Sequence, residues 1–532
     1  MRKKNRFILP LLLIIFIFLP GFLGLNSIYH SFSQKILTNS SEITSMNEYP
    51  SPEGNPTHAL EWALIWGSPY QDIAYDVAVD GSNNIYVTGQ IYNLASNSFD
   101  AFLAKFDATG NLIWNITWGR QDRNETARAV RVDADLNVYI AGYSYSPPLI
   151  VDEKMFLAKF NSSGDLMWNI TCGTIYIDSI YFEQSYGFDL TLDGSNIYVG
   201  GYASDSVFSQ YTSLVWKYHS NGTLLQFNNE MFGGAGNSGV IYGVAFDSQH
   251  TIYSQHIIYY ACSVPANPSQ WEVRPYIWRS DEQLQQYAFS YSSNYDYFGD
   301  AAMLPICKTH PTGGHALAID DCGNLYFVGS ILLNEVFGET EYHLDTFIKK
   351  YDLNYQVCDT YYAQNTWYRS WGQGHTDGDN MANDICNDEI AMDVACSGDN
   401  LYIVGFIHQH WCNETALFQM DFLQCPVERP TTIFLLNYKT AGSFTWSLSW
   451  GSTNGNDQAY GVAVDSKENI YIAGYTNGSG AGMGDALLLK YGLISNNTIP
   501  GFEAVVTFFG VVAIVYIYFR RSISDKINRK HL

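Results

Sequence analysis

Seven times between Trp66 and Tyr491 the chain restates one unit: a short apolar strand, an Asp turn, a second strand ending in Gly, a Lys-Tyr/Phe strand and a strand carrying Trp. Five copies are plain: VAVDGSNNIYVTG at 77–89, VRVDADLNVYIAG at 130–142, LTLDGSNIYVGG at 190–201, LAIDDCGNLYFVG at 317–329 and VAVDSKENIYIAG at 462–474. Two are worn, VAFDSQHTIYSQH at 244–256 and VACSGDNLYIVG at 394–405. A third strand follows most copies, as FLAKF at 102–106 and again at 156–160, and then a strand with Trp114, Trp168 or Trp446. Such a unit supplies four antiparallel strands with two partly apolar faces. It must therefore stack on its neighbours, and radial stacking of such sheets makes a β-propeller.

A ring has to be sealed, and the two ends of the repeat region are complementary. The last unit stops at its third strand, LLLKYG at 487–492, while an unpartnered Trp-type strand, LEWALIW at 60–66, precedes the first unit. Set beside each other they complete one blade and remove an exposed sheet edge. The expected fold is all-β: a seven-bladed β-propeller with four antiparallel strands per blade, the N-terminal strand closing the last blade, and hydrophobic helices flanking it at both ends.

The units resemble the SBBP β-propeller repeat family, whose pattern runs W-G, A-x-x-V-A-V-D, N-x-Y-V-x-G, a Lys-Tyr/Phe strand and G-N-L-x-W. The resemblance covers Trp66 to Tyr491 and is most specific in the first two units and the last. The fourth departs furthest, since Ser254, Gln255 and His256 follow Tyr253 where Gly should end the strand. The resemblance implies an extracellular propeller and brings no catalytic residues with it.

The flanks point to a membrane. Arg2, Lys3, Lys4 and Arg6 precede an apolar run, so 1–26 is a signal peptide or an uncleaved anchor. A linker at 27–59 leads to the propeller at 60–492. A short linker at 493–501 then precedes an apolar span at 502–519, broken only by Glu503 and Thr507 and long enough to cross a bilayer. Arg520, Arg521, Lys526, Arg529 and Lys530 fill the tail at 520–532, which places that tail on the cytoplasmic side and the propeller outside. The string IPGFE, with Pro500, Gly501 and Phe502 ahead of the span, is similar to an archaeal PGF-type C-terminal sorting signal, which implies processing onto a lipid anchor; a plain tail anchor is the other reading. Both readings put the protein on the outer face of the cell membrane.

Formal net charge is -24, and the two basic tails leave the segment between them more acidic still. Such a surface repels nucleic acid and favours solubility. The 9 cysteines of an exported chain suggest disulfides, with Cys412–Cys425 and Cys262–Cys307 as the candidate pairs and Cys396 as a thiol facing inward. Asn115, Asn124, Asn161, Asn169, Asn221, Asn413, Asn477 and Asn496 each begin an Asn-x-Ser/Thr sequon and are candidate glycan sites.

Function is expected on the face where one blade leads to the next. The opposite, lower turns are short and uniform, and Asp80, Asp133, Asp193, Asp247, Asp320 and Asp465 in them suit local Asx-turns. The upper loops vary and lengthen in the fourth to sixth units, and variable loops on a rigid scaffold are where binding resides. Tyr259, Tyr260 and Trp271 in one, with His408, His410 and Trp411 in another, form the candidate ligand surface, because flat aromatic faces suit sugar rings or protein side chains. Asp377, Asp379, Asp384 and Asp388 supply the oxygen ligands that calcium takes, though a solvated loop has the same composition. No other cofactor is expected.

Three functions compete. The favoured one is a surface binding or adhesion module for an extracellular glycan or protein partner. A structural cell-envelope component is the second. The third is an oxidoreductase, since DATGNLIW at 107–114 is similar to the Trp-docking repeats of quinoprotein dehydrogenases. Those enzymes have eight blades and dedicated cofactor ligands, which do not occur in this sequence, and no nucleophile–base pair or phosphate loop occurs either.

Overall fold

The computed structural model describes residues 33–37, 53–147, 152–173, 175–177, 180–204, 211–230, 238–261, 271–280, 284, 286–288, 313–334, 342–352, 364–372, 385–411, 430–452, 455–478 and 483–494. These residues form an all-β, seven-bladed propeller. Blades 1 to 6 are successive four-stranded antiparallel sheets whose inner strands begin at Ile73, Asn124, Gln184, Ser238, Gly313 and Ile385. Blade 7 takes Asp457–Val464, Ile470–Thr476 and Asp485–Leu493 from the end of the chain and His58–Gly67 from its beginning. The inner strand of each blade packs on that of the next, and blade 7 packs on blade 1, so the ring is closed.

The seal matches the expected one: Leu60 faces Tyr491, Ala63 faces Leu489 and Trp66 faces Ala486 in the antiparallel register. One strand was not foreseen. Within the segment read as a linker, Ser33–Leu37 pairs with the outside of His58–Gly67 and makes blade 7 five-stranded. A small hairpin, Ile175–Ile177 with Ile180–Phe182, is likewise inserted between blades 2 and 3, burying Ile175 and Phe182. The worn fourth unit keeps the full four-strand plan, although its outer strand is only Gln286–Ala288. The flanking apolar segments lie outside the described residues; among those described, no helix is long and apolar enough to cross a membrane.

Each letter of the repeat has a packing reason. Asp80, Asp133, Asp247, Asp320 and Asp465 accept the N–H groups two and four residues on and the Tyr hydroxyl six residues on, so the lower turn and the second strand are fixed by one carboxylate. In the third unit the turn is one residue shorter, and Asp193 instead meets His250 Nδ1 of blade 4 at 2.6 Å. The Gly of G-N-L-x-W has φ near +90° and lies against the Trp of the preceding blade: a Cβ on Gly164 would stand 3.1 Å from Trp114, and one on Gly222 3.2 Å from Trp168. The strand-ending Gly is forced by a neighbouring carbonyl, since a Cβ on Gly142 would sit 2.0 Å from Thr126 O. The Gly of W-G sits over buried acids: a Cβ on Gly67 would meet Asp72 and Asp485 at 2.5 Å, and one on Gly119 would meet Asp100 at 2.4 Å and Glu125 at 2.9 Å.

Candidate functional site

Every inner strand carries a β-bulge at the same place, and the bulges build the axis of the wheel. The ladder with the second strand skips one residue in each blade: Tyr75, Arg128, Phe188, Tyr242, His315, Met392 and Tyr460 in blades 1 to 7. A bulge bends the strand and re-aims the extra side chain. Here six of the seven meet the bulge residue of a neighbouring blade and form a collar on the inner strands.

The collar is continuous through six blades. Tyr460 and Tyr75 have ring centroids 5.2 Å apart, the Arg128 guanidinium lies 4.0 Å from the Tyr75 centroid and 5.7 Å from that of Phe188, and Phe188, Tyr242 and His315 follow at 5.0 and 6.4 Å. Met392 packs on Ile390 and Phe406. Except for buried His315 these side chains are half-buried. Beside the collar lies a cluster of tyrosines, Tyr143 and Tyr202 of second strands with Tyr186 of the blade-3 inner strand, Tyr143 5.0 Å from Tyr186 and Tyr186 stacked on Tyr202 at 4.4 Å. Burial raises the Tyr75 phenol to about 12 against the opposing pull of Arg128, and burial also raises Tyr143. Near neutral pH the tyrosines are therefore uncharged and their hydroxyls both donate and accept. Glu153, bonded to the Tyr202 hydroxyl, is pushed by burial to about 7.

Beneath the collar is an acidic floor. The residue after each bulge is either Asp or small, and each Asp is followed in the next blade by a small residue: Asp76, Ala129, Asp189, Gly243, Ala316, Asp393 and Gly461. Each Asp accepts the N–H that follows it (Val77, Leu190, Val394) at 2.8 Å. Its other oxygen reaches over the small residue of the next blade and accepts the N–H of Val130 at 2.8 Å, Val244 at 2.9 Å or Val462 at 2.8 Å. Three carboxylates thus staple blade to blade. Arg131 crosses between two of them, 2.6 Å from Asp76 and 2.9 Å from Asp189. Burial opposes its charge, but Asp76, Asp189 and Asp393 outweigh that and keep it protonated. Asp393, which makes no bond to Arg131 in this set, is raised to about 8 by burial and then by the charge of Asp76.

Of the residues foreseen in the sequence, several stand on this upper face without joining the collar. Tyr259 and Tyr260 end the second strand of blade 4, and Trp271 opens the next strand opposite Ala261. His410 and Trp411 occupy the corresponding end in blade 6, opposite Cys386 and Ile385. His408 and buried Asp388, foreseen for different roles, are register partners with Nδ1 3.9 Å from Oδ2. Asp377, Asp379, Asp384, Cys262, Cys307, Cys412, Cys425, Asn413, Asn496, Pro500, Gly501 and Phe502 lie outside the described residues. Asn169, Asn221 and Asn477 are exposed, and Asn115 and Asn161 are half-buried. Asn124 is buried and accepts the Phe99 N–H at 2.8 Å. Cys172, Cys322 and Cys396 are free thiols, with Cys396 half-buried among blade-5 and blade-6 apolar residues. Among the described residues no three His, Cys, Asp or Glu side chains are grouped to hold a metal ion.

Sequence reasoning missed the collar. A signal was present: the residue five places before each turn Asp, or before Ser397 in the sixth unit, is large in every unit and changes chemistry from one unit to the next.

Comparison with a protein-family model agrees with the propeller repeat. Residues 61–93 and 446–480 match the family model of the SBBP Beta-propeller repeat. No curated protein matches the chain. Among solved structures, the chain is similar to the periplasmic gluconolactonase PpgL of Pseudomonas aeruginosa (10% identity, 75% of this chain and 94% of that one, TM-score 0.37). It is also similar to the β-propeller domain of the Trilobed protease of Pyrococcus furiosus (8%, 82% and 99%, TM-score 0.39) and to an alpha-L-arabinanase of Penicillium chrysogenum (9%, 82% and 99%, TM-score 0.38). The two matched stretches fall on either side of the seal, so SBBP-type repeats are found where this seven-bladed propeller closes.

Proposed function

We propose that the protein is a binding module on the outer face of the cell membrane that takes an extracellular glycan at the collar and the tyrosine cluster beside it. The observation that carries this reading is the bulge column: at this position the seven inner strands carry Tyr three times and Arg, Phe, His and Met once each, every one a large side chain. A purely structural wheel has no use for that divergence. The residues gathered there suit sugars, since phenol faces stack on pyranose rings and the hydroxyls and guanidinium satisfy ring substituents with little entropy to lose. The upper-face strand ends with Tyr259, Tyr260, Trp271, His408, His410 and Trp411 would extend the surface outward. Display outside the cell is supported by the apolar, basic-flanked chain ends and the sequons.

The test is a glycan array probed with the full chain in detergent, alongside Tyr75→Ala and Tyr460→Ala. Binding that both substitutions abolish, with melting temperature unchanged, is the expected outcome. A blank array, or binding indifferent to both, would remove the reading. Surface biotinylation of intact cells checks the placement.

A further inference from the structure

Arg128 is out of character for its surroundings. The other cation of the axis, Arg131, is bonded to two carboxylates, whereas among the described residues no carboxylate lies within ion-pair distance of Arg128. It is held instead against two π faces, those of Tyr75 and Phe188. In a chain of net charge -24, with Asp76 and Asp189 in the tier beneath, an arginine that adhered only for stability would be expected to pair with an acid. Stacking occupies the faces of a guanidinium and leaves its edge, with its fork of N–H donors, for a planar anion.

We propose that Arg128 makes the collar selective for a sugar bearing one carboxylate, a uronic acid residue of an acidic polysaccharide. This rests on the reading of the collar as a glycan site. One guanidinium balances one negative charge; a dianionic phosphate would meet the acidic floor with an excess. The sugar ring lies against Tyr460 and Tyr75, and its carboxylate accepts two N–H bonds from the Arg128 edge.

The experiment is isothermal titration of the full chain with trigalacturonate, its methyl ester, the neutral galactose trimer and a sulfated neutral trimer. The acid should bind about tenfold to a hundredfold tighter than the ester or the neutral sugar, the span expected of charge-assisted bidentate bonding. Arg128→Gln should erase that preference while leaving residual affinity for all four, and Arg128→Lys should restore only part of it, with melting curves confirming the fold. Equal affinity for acid and ester, or tighter binding of the sulfated trimer, overturns the carboxylate assignment and leaves the collar reading standing. Absence of any trigalacturonate binding overturns the proposal as well. The collar reading fails separately if the sugars bind and Tyr75→Ala and Tyr460→Ala change nothing.

Discussion

The periphery and the axis of this wheel obey opposite rules. At the periphery the same residues recur blade after blade, with the Lys of the third strand over the Tyr of the second in blades 1, 2, 3, 5 and 7, and turn glycines against Trp of the preceding blade. At the axis the bulge residue changes between Tyr, Arg, Phe, His and Met, and the acids occur only where the following blade is small. Repetition marks what every blade needs to stack. Divergence marks what the assembled ring offers as a whole, and the two can be separated by experiment.

The sharpest break is removal of the seal. Deleting His58–Gly67 from the full chain exposes the edge of Asp485–Leu493 and unties the ring, so cooperative thermal unfolding should disappear in circular dichroism. A deletion variant that melts as the parent does would show that the ring needs no seal. Next is a peripheral glycine: Gly142→Val drives a Cβ into the Thr126 carbonyl and should cost about 3 kcal/mol or more in denaturant unfolding. Glycan binding by whatever remains folded should be unaffected, whereas collar substitutions should show the reverse pattern.

The floor gives smaller effects that depend on charge. Asp189→Ala removes the acceptor for Leu190 and Val244 and one partner of Arg131, and should cost about 2–3 kcal/mol. Asp393→Asn keeps one of two acceptors and, with a value of about 8, replaces a carboxyl that is already mostly protonated, so it should cost less, about 1–2 kcal/mol at pH 7. A loss for Asp393→Asn as large as that for Asp189→Ala would overturn this ranking.

The smallest effect is a drift with pH. Asp72 is raised to about 6, Glu125 and Glu153 to about 7 and Asp393 to about 8, in each case first by burial. Unfolded carboxyls titrate near 4, so between about pH 4 and 8 the folded chain holds more protons than the unfolded one, and stability falls as pH rises. Melting temperature should decline by several degrees from pH 5 to pH 9, and less steeply in Asp393→Asn. A rise over that interval would show that these acids ionise freely in the native state.

What could be seen in the sequence follows the same division. Blade number, the seal and the Asx-turns were legible because they are written several times over. The collar was not, because a bulge has no spelling of its own: Arg128 in TARAV looks like an outward residue of a regular strand until the register shift between Ala127 and Ala129 is known. The Asp staples were hidden for a related reason. Asp189 means little until Gly243, more than fifty residues later, is seen to leave space for it. Upper-face position was inferred for His408 and Asp388 from separate arguments about aromatics and calcium, and their pairing came only with strand register.

A wheel of identical spokes presents any guest with several indistinguishable ways to sit, each a rotation of the last. A collar guanidinium supplied by one spoke only abolishes that degeneracy, as a key slot does for a shaft. With Arg128 in blade 2 alone, an asymmetric guest has one azimuth to adopt, and a polymer threaded toward the channel mouth would emerge in one fixed direction relative to the seam at blade 7.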